Sequence, residues 1–122
     1  VRVACPPIIA PCFYGIDMST IDELFAAKYI PDGQLSDETL QKMAADLGAD
    51  SLRYLPVDAV ARAIGFDSDQ LCQACITGRY PTPWGQKLYD IAVENSRNGD
   101  TKRRTYETRV VDAGCQPLES KL

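Results

Sequence analysis

At 122 residues, with 45% hydrophobic and 25% charged residues, the chain has the composition of one globular domain with a small core. Its formal charge of −4 and its scattered Lys and Arg residues argue against nucleic-acid binding, and no apolar run reaches the roughly 20 residues that cross a bilayer. The sequence contains no histidine, which excludes histidine-based triads and metal sites, and no secretory signal, so we expect a cytoplasmic protein without membrane or nucleic-acid partners.

The first residues predict a strand followed by an ordered loop. Residues 1–4 are β-rich and alternate, and the prolines after Cys5 end the strand because proline cannot donate to a sheet ladder. Residues 8–15 contain a further proline and a glycine, which predicts a loop that carries Cys12.

Capping signals predict a first helix after this loop. Two overlapping capping boxes, Ser19 with Asp22 and Thr20 with Glu23, indicate that it begins there and runs to Lys28. Pro31 and Gly33 would then close the segment.

The next segments predict a helix, a strand and another helix. Ser36 precedes a helix that ends near Gly48, residues 51–55 resemble a short strand, and Pro56 opens a helix over residues 57–64. The apolar face of the earlier helix consists of Leu40, Met43, Ala44 and Leu47. This order predicts an α/β fold with parallel strands, and two strands are too few for a self-sufficient sheet, so the sequence belongs inside something larger.

From residue 66 onward the pattern changes to a cysteine-containing loop and a last helix. Cys72 and Cys75 form a C-x-x-C pair in a turn-rich segment, and residues 83–95 predict a helix. The side chains expected on one face of that helix are Trp84, Leu88, Ile91 and Ala92. We therefore divide the chain into residues 1–65, residues 66–97 and a polar tail, 98–122.

The five cysteines indicate metal or redox chemistry rather than a disulfide framework, because their number is odd and no export signal is present. The C-x-x-C spacing suits zinc, iron–sulfur and redox-dithiol sites. Zinc would need Cys5 and Cys12 as further ligands, and a redox pair would normally follow a strand at a helix start. Cys5 and Cys115 are better explained as small buried apolar residues than as ligands.

Three motifs carry a family resemblance over roughly the first 80 residues. Residues 5–17, CPPIIAPCFYGID, resemble the segment S-P-P-x-x-x-P-C-F-Y-G-I-D of glutamine phosphoribosylpyrophosphate amidotransferases. Residues 48–55, GADSLRYL, are similar to that family's G-A-D-S-L-x-Y-L, and residues 72–81, CQACITGRYP, to its C-x-A-C-F-x-G-x-Y-P. The order of the motifs is the same.

The resemblance implies the C-terminal part of a type I phosphoribosyltransferase-like parallel sheet with a cysteine-bearing helical extension. In the cluster-bearing branch of the family, the cysteines matching Cys12, Cys72 and Cys75 are ligands of a [4Fe–4S] cluster, and the fourth ligand comes from an N-terminal glutaminase domain. Cys5 stands where the family usually has serine, and Cys115 lies outside the motifs, so the resemblance makes neither a ligand.

The family uses glutamine and phosphoribosyl pyrophosphate, with magnesium, in the first committed step of purine synthesis, and generally forms homo-oligomers. Neither the glutaminase nucleophile nor the acidic phosphate loop is present here, so we expect this piece alone to be inactive and its partners to be those missing portions. Tyr14 and Asp17 follow a strand end and could lie near the transferase pocket, although packing and capping explain them equally well. A non-catalytic metal-binding or redox-sensing module derived from the enzyme is the alternative.

Overall fold

Two short parallel strands connect the beginning of the chain to its middle. The computed structural model describes residues 1–18, 20–30 and 34–100. Strands β1 (Arg2–Val3) and β2 (Arg53–Tyr54) pair in parallel, with Arg2 opposite Arg53 and Val3 opposite Tyr54. Both predicted strands and their parallel pairing are confirmed, and the mixture of helices with a small parallel sheet is compatible with an α/β fold.

Four α-helices follow in the described part of the chain; three of them were predicted, whereas α3 lies in the segment that was predicted to be a turn-rich loop. They are α1 (Asp37–Asp46), α2 (Val57–Ile64), α3 (Ala74–Thr77) and α4 (Pro83–Arg97). The Ser36 hydroxyl accepts a hydrogen bond from the Thr39 amide at 3.1 Å, which caps α1. Gly65, at φ +75°, ends α2 in the left-handed conformation that glycine adopts without a Cβ clash.

The prediction of one helix from residue 20 to residue 28 is wrong. Two single 3₁₀ turns, Ile21–Glu23 and Ala26–Lys28, stand in its place. The capping pair Thr20 and Glu23 does form, but Leu24 is extended, at φ −73° and ψ 118°, and this interrupts the helical hydrogen-bond pattern. The break allows the second turn to bury its two alanines. Three residues on which this prediction was based lie outside the described residues, namely Ser19, Pro31 and Gly33.

The core joins residues from both sides of the predicted boundary at residue 65. Ile30, Met43 and Leu52 are its largest fully buried side chains. The same cluster includes Ile9 from the first loop and Tyr80 from the cysteine-containing region. The division into residues 1–65, 66–97 and 98–122 stays a prediction.

Two side chains assigned to apolar helix faces are in fact exposed. Leu47 follows the last turn of α1 and is 50% exposed, and Trp84 in the first turn of α4 is 51% exposed. Both stand at helix ends, where the face that packs on the core no longer continues. Leu88 and Ala92, further along α4, are buried as predicted.

The last described residues close α4 and carry the chain to residue 100. The amide of Asn98 donates to the Glu94 carbonyl at 3.0 Å, and Cys115 with the rest of the predicted tail from residue 101 lies outside the described residues. Across residues 1–18, 20–30 and 34–100, each helix is too short or too polar to traverse a bilayer.

Candidate metal centre

The loop that carries Cys12 lies against the helix that carries Cys75. The adjacent amides of Ile9 and Ala10 both donate to the Cys75 carbonyl, at 2.9 and 3.0 Å. These bonds connect two segments that are more than 60 residues apart in the sequence. The structure therefore brings the first of the three motif cysteines to the C-x-x-C region.

Tyr80 makes a second connection between the same two segments. Its hydroxyl donates to the carbonyl of Pro11, the residue immediately before Cys12, and its ring centroid lies 5.2 Å from that of Phe13, the residue immediately after. The side chain is buried, and this burial is the main reason that its pKa is raised well above the usual tyrosine value. The hydroxyl is therefore a protonated donor throughout the working pH range.

The described cysteines differ in accessibility and share one electrostatic neighbourhood. Cys12 and Cys75 are partly buried, whereas Cys5 and Cys72 are exposed, and all four are free thiols. Burial is the largest cause of the raised pKa of Cys75, and the charge of Cys12 is the next, followed by smaller contributions from Cys72 and Cys5. A raised pKa is the opposite of what an attacking thiolate needs, so Cys75 itself is poorly suited to that role.

The thiols suit a soft metal centre by donor type, but they are not arranged as a finished site. The Cys12 sulfur already accepts a hydrogen bond from the Tyr14 amide at 3.4 Å, and bonds of this kind tune metal-bound sulfurs. Among residues 1–18, 20–30 and 34–100, no three Cys, Asp or Glu side chains are grouped so that they could hold a metal ion. Coordination would therefore require the cysteine side chains to move closer together.

Tyr14 contacts the beginning of α4. Its hydroxyl lies 2.8 Å from the hydroxyl of Thr82, which caps the helix by accepting from the Gly85 amide at 3.0 Å. A Cβ at Gly85 would lie only 2.0 Å from the Tyr14 hydroxyl oxygen, so glycine permits this close approach. Asp17 is exposed in the same loop. The proximity of Tyr14 and Asp17 to a substrate pocket stays a prediction.

A cleft of about 680 Å³ lies between the two 3₁₀ turns and α4. Asp22 and Ser96 line it and are joined by a hydrogen bond of 2.7 Å from the serine hydroxyl. Lys28 and Arg97 provide positive charge along the same walls, and neither Tyr14 nor Asp17 is among the lining residues.

Sequence reasoning missed the residues that join the two cysteine-bearing segments. Tyr80 was noted only as part of the motif in residues 72–81, with no contact predicted for it. The bonds from Ile9 and Ala10 are made by backbone amides, which no side-chain pattern reveals. Thr82 could have been found, because a threonine directly before a proline is typical of a helix N-cap with proline in the first turn.

Comparison with known proteins decides the family. The chain is 43% identical over 81 residues to an amidophosphoribosyltransferase of Methanocaldococcus jannaschii, which covers 66% of this chain and 15% of that protein. It is 40% identical over 86 residues to the amidophosphoribosyltransferase of Bacillus subtilis, covering 67% and 16% of the two chains. The match to the Staphylococcus epidermidis amidophosphoribosyltransferase is 36% identical over 110 residues, covering 87% and 20%.

This chain belongs to the amidophosphoribosyltransferase family. It corresponds to a C-terminal portion of these amidophosphoribosyltransferases and spans 15–20% of the length of the three relatives above. No protein-family model and no solved structure matches the chain.

Proposed function

We propose that the protein containing this chain is an amidophosphoribosyltransferase, a glycosyltransferase of purine biosynthesis. It would combine glutamine, water and phosphoribosyl pyrophosphate to give phosphoribosylamine, glutamate and pyrophosphate. The observation that carries this proposal is the 36–43% identity to amidophosphoribosyltransferases of three organisms over 66–87% of the chain. This portion would contribute the end of a phosphoribosyltransferase-like sheet, while the catalytic loops lie elsewhere in the protein.

The proposal assigns a structural role to three cysteines of this portion. Cys12, Cys72 and Cys75 would hold a [4Fe–4S] cluster, with the fourth ligand supplied by the glutaminase domain. Two features support this assignment: the backbone bonds that join the Cys12 loop to Cys75, and the influence of the Cys12 and Cys72 charges on the Cys75 pKa. Thiolates are the usual ligands of such clusters.

When bound, the cluster would supply a covalent cross-link between distant segments rather than reaction chemistry. Within this chain, the Cys75 carbonyl holds the loop through Ile9 and Ala10, and the Tyr14 amide is directed at the Cys12 sulfur. These groups would orient the loop before any metal arrives, which lowers the entropy cost of bringing distant ligands together.

The activity is tested on the protein at its full natural length. Purified protein is expected to release glutamate and pyrophosphate only when glutamine, phosphoribosyl pyrophosphate and magnesium are all present. Omission of either substrate serves as the control. Absence of both products in a folded preparation would contradict the proposed activity.

The cluster is tested separately by metal content. Anaerobically reconstituted full-length protein should be brown and contain about four irons per chain if the cluster is complete. Cys12→Ser, Cys72→Ser and Cys75→Ser should each lose most of this iron, whereas the matched control Cys5→Ser should keep it. A colourless protein with one zinc per chain would overturn the assignment of the cluster.

A further inference from the structure

The Cys12 sulfur accepts a hydrogen bond from Tyr14 in its own loop, and residues on both sides of Cys12 contact the segment that begins at Cys75. The loop has no strand or helix of its own between residues 5 and 18. Its position therefore depends on contacts from outside the loop. Three of these contacts come from residues 75–82, through the Cys75 carbonyl, the Tyr80 side chain and the Thr82 hydroxyl.

Tyr80 is the member of this set that reaches both neighbours of Cys12. Its hydroxyl bonds to the Pro11 carbonyl on one side, and its ring packs against Phe13 on the other. The phenol is 8% exposed, so water competes poorly for the carbonyl oxygen. The ring of Tyr80 also packs against the ring of Tyr89, and their centroids are 5.3 Å apart.

The position of Tyr80 in the chain links it to the C-x-x-C pair. Gly78, at φ +71°, ends α3 three residues after Cys75, and Tyr80 follows two residues later. The amide of Tyr80 donates to the Gln86 side chain at 3.0 Å, which fixes this short connection against α4. A short backbone path therefore runs from Cys75 to the phenol that contacts the Cys12 loop.

We propose that Tyr80 is a positioning residue that holds the loop of Cys12 against the segment that begins at Cys75, through its bond to the Pro11 carbonyl and its contact with Phe13. This inference rests on the proposed function, because it concerns the same three thiols. It does not depend on which soft metal centre they hold. The Tyr80 hydroxyl itself contacts neither sulfur nor metal in this arrangement.

The test measures how often Cys12 meets the other two thiols, without any cluster. Full-length protein is treated with a chelator and a reductant, then oxidised briefly with diamide, and its disulfides are mapped by mass spectrometry. Tyr80→Phe removes the hydroxyl and keeps the ring, so disulfides between Cys12 and Cys72 or Cys75 should decrease about three- to tenfold, in line with the loss of one net hydrogen bond. The Cys72–Cys75 disulfide should form as in the wild type.

Tyr89→Phe is the matched control, because it removes a hydroxyl from the adjoining ring that bonds to no other described residue. It should leave the Cys12 disulfides unchanged. If Tyr80→Phe does not fold, as judged by circular dichroism, Phe13→Leu replaces it and should decrease the same disulfides. Equal yields of Cys12 disulfides in folded wild type and Tyr80→Phe, or an equal decrease in Tyr89→Phe, would overturn the inference.

The same preparations separate this inference from the proposed function. If Tyr80→Phe loses the Cys12 disulfides, the positioning role is supported. If the wild-type protein also takes up no iron, the cluster is contradicted while that role still stands. Full iron uptake by Tyr80→Phe with unchanged disulfides would leave the cluster supported and overturn the role of Tyr80.

Discussion

Cys75 is the described cysteine whose surroundings most clearly control its chemistry. It is partly buried in α3, and burial followed by the charge of Cys12 raises the pKa of its thiol. A thiol with a raised pKa holds its proton to higher pH, and the thiolate is the form that reacts with alkylating reagents. Cys72 is exposed and lies three residues earlier, just before α3.

We therefore expect Cys75 in the metal-free protein to react with iodoacetamide more slowly than Cys72 at neutral pH. The difference should narrow as the pH rises, because a growing fraction of Cys75 then ionises. Mass spectrometry after timed labelling measures both sites in one sample. Equal rates at pH 7 in folded protein would contradict the burial and charge effects at Cys75.

At the scale of elements, left-handed glycines determine where the short helices end. Gly48 follows α1 at φ +66°, and Gly78 ends α3 at φ +71°. Space for a side chain differs between them: a Cβ at Gly48 would meet nothing within 4 Å, whereas one at Gly78 would lie 3.3 Å from the Tyr89 ring. A residue with a side chain would be strained by the backbone at both sites, but only at position 78 would it also contact Tyr89.

Alanine at these two positions should separate strain from contact. Gly48→Ala is expected to lower the free energy of unfolding by about 1 kcal/mol, because the left-handed conformation is costly for a residue with a Cβ. Gly78→Ala should lower the free energy of unfolding by about 1 kcal/mol more than Gly48→Ala does, since Tyr89 must shift to admit the methyl group. Urea denaturation measures both values, and an equal loss for the two variants would mean that Tyr89 yields freely.

At the scale of the whole molecule, the described residues form a small core and one short sheet. The described part of the chain forms a sheet of two strands with two residues each, and two strands alone are marginally stable in water. Stability must therefore come mainly from side chains such as Met43, which is 0% exposed and lies where α1 packs on the rest of the core.

Met43→Ala is expected to lower the free energy of unfolding by about 2–5 kcal/mol, because it leaves a cavity at a fully buried position. Leu47→Ala, just past the end of the same helix, should change it by less than about 0.5 kcal/mol since Leu47 is half exposed. Thermal denaturation of both variants tests this contrast. A loss of similar size at Leu47 would indicate that another part of the full-length protein covers it.

Local signals within a few residues were enough to predict several of the elements. Ser36 and Gly48 delimit α1, Pro56 and Gly65 delimit α2, and the alternation in residues 1–4 identified β1, because caps, turns and pleats act within a few residues. The cysteine spacing and the three motifs likewise sufficed to indicate the family that the comparisons then supported.

Features that depend on contacts between distant residues became evident only in the folded chain. A strong capping pair at Thr20 did not produce a helix, because burial of Ala26 and Ala27 against the core favoured two separate turns. Packing also decided that Trp84 is exposed and that Tyr80 reaches the loop of Cys12. Such contacts join segments about 70 residues apart, and local propensities contain no information about which distant surfaces meet.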